Sequence, residues 1–153
     1  MTAPPRPPHE RKQDTLDRLD RDVDAWFATA GTGGGAPHMV PLSFYWDGRD
    51  ILVATPTGSP TGRNLRDSGR VRVGIGPTRD VVLVEGTVVE IIAASDIPSD
   101  LGDTFAARAE FEPRDLATPY SYYRVRPDRI QAWREADELP GRDLMRDGHW
   151  LVP

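Results

Sequence analysis

At 153 residues the chain has the length of one ordinary domain, and 38% apolar and 28% charged residues, with four Trp, four Tyr and four Phe, exclude a disordered or fibrous chain. The absence of cysteine excludes a disulfide framework, a thiolate nucleophile and cysteine-held zinc or iron–sulfur sites. A net charge of −5 removes the bulk attraction that drives nucleic-acid binding, and no apolar run approaches the roughly 20 residues of a membrane span or forms a secretory leader. A cytoplasmic protein with neither nucleic-acid nor membrane partners is the expectation.

In chain order, residues 1–13 carry four prolines and no apolar periodicity, which predicts a disordered tail ahead of a single domain over 14–153. Leu16, Leu19, Val23, Trp26 and Phe27 then recur at three- and four-residue intervals among charged residues, predicting an amphipathic helix capped by Asp14 or Thr15. Its last turn is ambiguous, because Ala25 to Thr29 also reads as a strand leading into the glycine-rich turn Gly31–Gly35. His38 to Trp46 and Ile51 to Thr55 form a hairpin about Asp47-Gly48. Pro60 to Asp67 is a short helix, Val71 to Ile75 and Val81 to Ala93 are strands, and Gly86 is placed to bend the longer one. A helix over Asp100 to Glu110 stops before Glu112-Pro113, and two further strand-like runs, Tyr120 to Arg126 and Arg129 to Arg134, meet at Pro127-Asp128. At least six strands on short connections predict a mainly β fold, an antiparallel barrel with flanking helices.

The chemistry concentrates where the strand ending at Thr55 runs through hydroxyls and glycines into a helix. Ser59 is typed as an N-cap and Pro60 as a first helical residue, so the helix start offers amides and a positive dipole end to an anion. Thr55, Thr57, Ser59 and Thr61 add hydroxyls and Arg63 a guanidinium. The same residues also read as an ordinary capped helix with Arg63 in solvent, and both readings stay open. Gly31–Gly35 lacks the Lys-Ser/Thr ending of a phosphate loop and reads as a hairpin turn. His9, His38 and His149 lack metal-ligand spacing, so no metal site is predicted. Trp133 and Trp150 read as core residues or as walls for a planar ligand.

From Leu16 to the end, these segments in their order resemble the pyridoxamine 5′-phosphate oxidase-like family, the FMN-binding split barrels. The resemblance rests on Pro37 to Phe44, Ile51 to Thr55, Gly58 to Leu65, Thr78 to Thr87, Arg129 to Trp133, Arg142 to Met145 and Gly148 to Trp150. It implies a six-stranded antiparallel split barrel acting as a homodimer, and a flavin-dependent oxidoreductase using FMN on a small-molecule substrate. Val40, Pro41 and Leu42 would then line the flavin, with amides near them stabilising charge on the ring. Ser59, Thr61, Arg63 and helix amides would hold its phosphate end, Thr55 and Asn64 would stand with them among the cofactor-binding residues, and Trp133 and Arg142 would reach a flavin bound mainly by the other subunit. Pro60-Thr61 stands where the oxidase has a basic pair, and Leu139 and Gly141 stand near its substrate-holding Arg and His, so pyridoxamine phosphate oxidation is not expected. The alternatives within the family are a deazaflavin (coenzyme F-420) reductase, its acidic tail held by Arg63, Arg66 and Arg70, and a non-catalytic flavin- or haem-binding protein.

Overall fold

The computed structural model describes residues 3–153. Six strands close into an antiparallel barrel. They are β1 (Asp24–Thr29), β2 (His38–Trp46), β3 (Ile51–Pro56), β4 (Arg70–Ile75), β5 (Val81–Ala93) and β6 (Tyr120–Trp133), running around the barrel in the order β1-β2-β3-β6-β5-β4 and back to β1. Two short strands, β7 (Asp143–Arg146) and β8 (His149–Trp150), extend the sheet from the last part of β6. The three helices are α1 (Pro8–Arg21), α2 (Pro60–Asp67) and α3 (Ser99–Ala109). This is the six-stranded antiparallel barrel that the strand pattern predicts.

The pleat explains the core. Alternate residues of β1, β4 and β5 are buried, and Phe27, Phe44, Val53, Val73, Val84, Tyr123, Val125 and Ile130 fill the interior with almost no exposure. Leu19 of α1 and Leu65 of α2 join that core from opposite ends of the barrel. The outer face of β3 and β6 is covered instead by α3, whose Phe105 and Ala109 pack on Leu52, Ala54 and Tyr122. The Phe105 and Tyr122 rings meet edge to face at 5.2 Å.

The sequence expectations are corrected at three places. Residues 8–13 are helical, with Pro8 at the first helical position after Pro7, and Arg6 is buried, so the loose tail through residue 13 and the cap at Asp14 or Thr15 do not hold; residues 1–2 lie outside the described residues. The helix ends at Arg21, and Asp24 opens β1, which resolves the ambiguous turn. Tyr120 to Trp133 is one strand rather than two, because the ladder steps from Glu85↔Arg129 to Gly86↔Pro127 and leaves Asp128 as a bulge. Gly86 is fixed there by space as well as by bending, since a Cβ on it would run into Val125.

Candidate functional site

The barrel splits between β2 and β3. Their ladder runs only from Trp46↔Ile51 to Phe44↔Val53. Beyond it β3 stays paired with β6 as far as Pro56↔Tyr120, whereas His38 to Ser43 of β2 pair only with β1. Helix α2 sits across this opening. Leu65 anchors it in the core, Asn64 Nδ2 donates to Thr29 Oγ1 at 3.1 Å, and Asp67 Oδ2 accepts the Thr32 amide at 2.9 Å.

The register decides which groups the opening presents. The Phe44 amide donates to the Val23 carbonyl at 2.8 Å, so by antiparallel alternation His38, Val40 and Leu42 also turn their main-chain groups toward β1. The intervening residues, Met39, Pro41 and Ser43, turn theirs toward the split. Pro41 has no amide, which leaves the Met39 and Ser43 N–H groups and the Met39 and Pro41 carbonyls along this edge. The amides of Val40 and Leu42 are thus engaged in the sheet and Pro41 has none, so the donors near them on this edge are Met39 and Ser43. Leu42 packs its side chain against the core, and Val40 is half-buried on the same inward face.

At the exit of β3 the expected hydroxyls converge. Ser59 Oγ accepts the Gly62 amide at 3.0 Å and lies 3.1 Å from the hydroxyl of Thr55, while Thr57 Oγ1 lies 2.8 Å from Ser121 Oγ on β6. Thr55 and Thr61 are buried. The first turn of α2 is pressed onto the chain before it: a Cβ at Gly62 would stand 2.8 Å from the Pro56 carbonyl oxygen and 2.9 Å from that of Thr57. Arg63 donates its amide to the Ser59 carbonyl and its Nη1 to the Gly58 carbonyl at 3.0 Å, with the rest of the guanidinium in solvent. Since Pro60 has no N–H, the Thr61 amide is the free donor of this helix start. An anion thus finds the Thr61 amide, the Arg63 fork and the surrounding hydroxyls, fewer donors than a glycine-rich phosphate loop provides.

Adjoining this start, past the Thr57–Ser121 pair, lies a cleft of about 590 Å³ lined by Arg66, Ile91, Ala93, Arg114, Leu116 and Tyr120. Arg114 is neutralised there by Glu112 and Asp103, and its hydrogen bonds hold the Glu112 carboxyl below the usual carboxylate range. Arg63, Arg66 and Arg70 form no ion pair among the described residues, so the rim of α2 carries uncompensated positive charge. A second depression, about 480 Å³, lies on the outer face of β1, β4 and β5. Its Arg72 is matched by Glu85 at 2.6 Å and its Asp128 by Thr87, and of the residues expected to hold a ligand Arg70, at the exit of α2, lines it.

Trp133 and Arg142 stand elsewhere. Trp133 ends β6, thirteen residues past Tyr120, which at about 3.3 Å per residue is on the order of 40 Å along the strand. Arg142 is exposed nearby and donates to the Leu139 carbonyl at 3.0 Å. One chain therefore gathers Thr55, Ser59, Thr61, Arg63 and Asn64 at the split and carries Trp133 and Arg142 at the far end. The sequence reading missed the Met39 edge and the part that Ser121 plays; the alternation of β2 about Pro41 was the available signal for the first.

Comparison with known proteins adds the family. The model of the pyridoxamine 5′-phosphate oxidase family matches residues 16–134. No curated protein matches the chain. Among solved structures, an F-420 reductase is similar at TM-score 0.60 and 21% identity, over 74% of this chain and 93% of that one. A conserved hypothetical protein from Mycobacterium tuberculosis superposes at 0.64 with 18% identity, over 82% and 86% of the two chains. An FAD-binding protein from Mesorhizobium loti superposes at 0.60 with 17% identity, over 78% and 89%. With a family match over most of its length and a closed six-stranded barrel that splits beside a capped helix, the chain belongs to the pyridoxamine 5′-phosphate oxidase-like, FMN-binding split-barrel family.

Proposed function

We propose that this chain is an oxidoreductase that binds FMN in the split between β2 and β3 and acts on a small molecule other than pyridoxamine phosphate. The observation that carries the reading is the coincidence of three features in one opening: an uncovered strand edge at Met39–Pro41, a hydroxyl-lined helix start at Thr55 to Thr61, and uncompensated cations at Arg63 and Arg66. Arg63 and the Thr61 amide bind the phosphate end. Val40, Leu42 and Thr55 wall the opening and exclude water, and Asn64, tied to Thr29, keeps α2 in register with β1. The FMN supplies hydride chemistry when bound; the chain supplies binding, orientation and electrostatics. Trp133 and Arg142 complete the site from a second copy in a homodimer, since no single chain brings them to its own split. The exposed Trp26 and Met39 give that assembly apolar surface to bury.

A second reading is favoured by one observation. The helix start keeps the Thr61 amide free, whereas Arg63, Arg66 and Arg70 follow one another along α2 and its exit with no acidic partner among the described residues. That distribution suits the extended acidic tail of a deazaflavin (coenzyme F-420) better than one compact phosphate. The test is uptake: purified protein is incubated with excess FMN or with the deazaflavin, freed of unbound ligand, and its absorption recorded. Retained flavin bands support FMN, retained deazaflavin alone supports the second reading, and retention of neither overturns both.

A further inference from the structure

We infer that residues 3–21 are a latch that fixes the segment between β6 and β7, so that Arg6 and Glu138 position Trp133 and Arg142 for the cofactor; the second half of this inference rests on the reading above. Glu138 lies in a one-turn 3-10 segment, Ala136–Glu138, whose neighbours Asp137 and Leu139 are exposed, yet it is itself 1% exposed. A carboxylate sinks that far only when it is paired and fully hydrogen-bonded. Four donors converge on it: the Arg6 amide at 2.8 Å, Arg6 Nε at 3.0 Å, Arg6 Nη2 at 2.7 Å and the Arg134 amide at 2.8 Å.

The far side of the latch is built for that contact. In Pro4-Pro5-Arg6-Pro7-Pro8, Arg6 alone has a backbone N–H, and that N–H is the one given to Glu138. The flanking prolines restrict the chain to extended conformations before it docks, which lowers the entropy lost on docking. Arg11 then grips both sides of Trp133, donating Nη1 to the carbonyls of Ala132 at 3.2 Å and Glu138 at 2.9 Å. Lys12 bonds the Val152 carbonyl at 3.0 Å and lies over the Trp150 ring at 4.8 Å, so the same helix holds the β7–β8 extension. Arg6, Arg11 and Glu138 all fall outside the residues matched by the family model. The latch is thus applied to the stretch that carries Trp133 and Arg142.

The test uses the full chain with Arg6→Ala, the milder Arg6→Lys, which keeps the charge and loses the fork, and Val73→Ala as a variant destabilised in the core away from the latch. Two readouts are taken: amide hydrogen exchange of residues 134–142, and affinity for FMN and for the deazaflavin. The expected result is faster exchange in 134–142 for Arg6→Ala, smaller in Arg6→Lys, with cofactor affinity lowered about ten- to a hundredfold, the range seen when groups that orient binding residues are removed. Val73→Ala should leave both unchanged. Unchanged exchange in 134–142 overturns the latch; faster exchange with affinity equal to that of Val73→Ala overturns the positioning role. Wild-type protein that takes up neither cofactor removes the reading above and the positioning role with it, while exchange alone then decides the latch. If Arg6→Ala does not fold, Arg6→Lys carries the same comparisons.

Discussion

The two ends of the barrel are closed by helices that treat charge in opposite ways. At the α1 end, Arg6 and Glu138 are buried against each other, Arg11 is buried on two carbonyls and Arg18 is held by Asp80. At the α2 end, Arg63, Arg66 and Arg70 are left without acidic partners among the described residues, beside an open strand edge. Arginine is equally available to both, with eighteen in the chain against one lysine, so composition does not make the difference. Charge buried with its partners fixes structure, and charge left uncompensated at an opening is available to a ligand.

That contrast is open to breaking. The largest effect is expected from Glu138→Gln, which takes the buried carboxylate from Arg6 and leaves it to Asp14 at 3.1 Å and Asp80 at 3.6 Å, and should cost about 2–3 kcal/mol of folding stability; urea unfolding measures it, and a loss below about 1 kcal/mol would mean that buried charge does not hold this end. The same pair sets a pH dependence. Arg6, chiefly through its side-chain hydrogen bonds, holds the Glu138 carboxyl down at about 2, and Arg146, with Gln131 and Arg129, holds that of Asp143 at about 2. Because a depressed carboxylate stabilises the fold only while ionised, this contribution is complete above the ordinary carboxylate value and is lost as pH falls from about 4.5 through 2. Glu138→Gln should remove the Glu138 share of that slope and leave the Asp143 share.

At the other end, Arg63→Ala should weaken cofactor binding by about 1.5–3 kcal/mol, the value of a hydrogen bond to a charged group, while folding stability shifts by no more than about 0.5 kcal/mol. Titration and thermal melting on the same sample separate the two, and a large stability loss with unchanged affinity would reverse the roles given to the ends. Ser59→Ala removes the cap of α2 and should cost about 1 kcal/mol in unfolding measurements. The smallest change is expected beneath α3, at Tyr122, whose hydroxyl is buried with no hydrogen-bond partner among the described residues and is pushed up to about 12 by burial and by the nearby Glu112 charge. Tyr122→Phe should be neutral or stabilising by up to about 1 kcal/mol.

The local patterns in the sequence carry the barrel. The Asp47-Gly48 turn, the run from Val81 to Ala93 and the Ser59-Pro60 helix start are each decided within a few residues, and each lies where the residues predict. The α1 end was hidden for the opposite reason. Arg6 meets Glu138 across 132 positions, and prolines that read as disorder in isolation serve as a stiff approach to a partner no local window contains. The continuity of β6 was hidden similarly, because Pro127 interrupts a strand on paper, and only the bulge opposite Gly86 shows how the ladder passes it. Of the site, the residue types around Thr55 to Arg63 were legible, whereas which amides face the split depends on the pairing phase of β2.

The edge that β3 leaves uncovered carries a hazard of its own. A bare strand edge is a template on which any extended chain can add itself, and a protein that keeps one open for binding risks growing into aggregates along it. Pro41 sits in the middle of that edge and withholds the donor a new neighbour would need, so an incoming strand cannot form a continuous ladder there. The residue that deprives the opening of an amide is also the one that keeps it from being zipped shut by a stray strand.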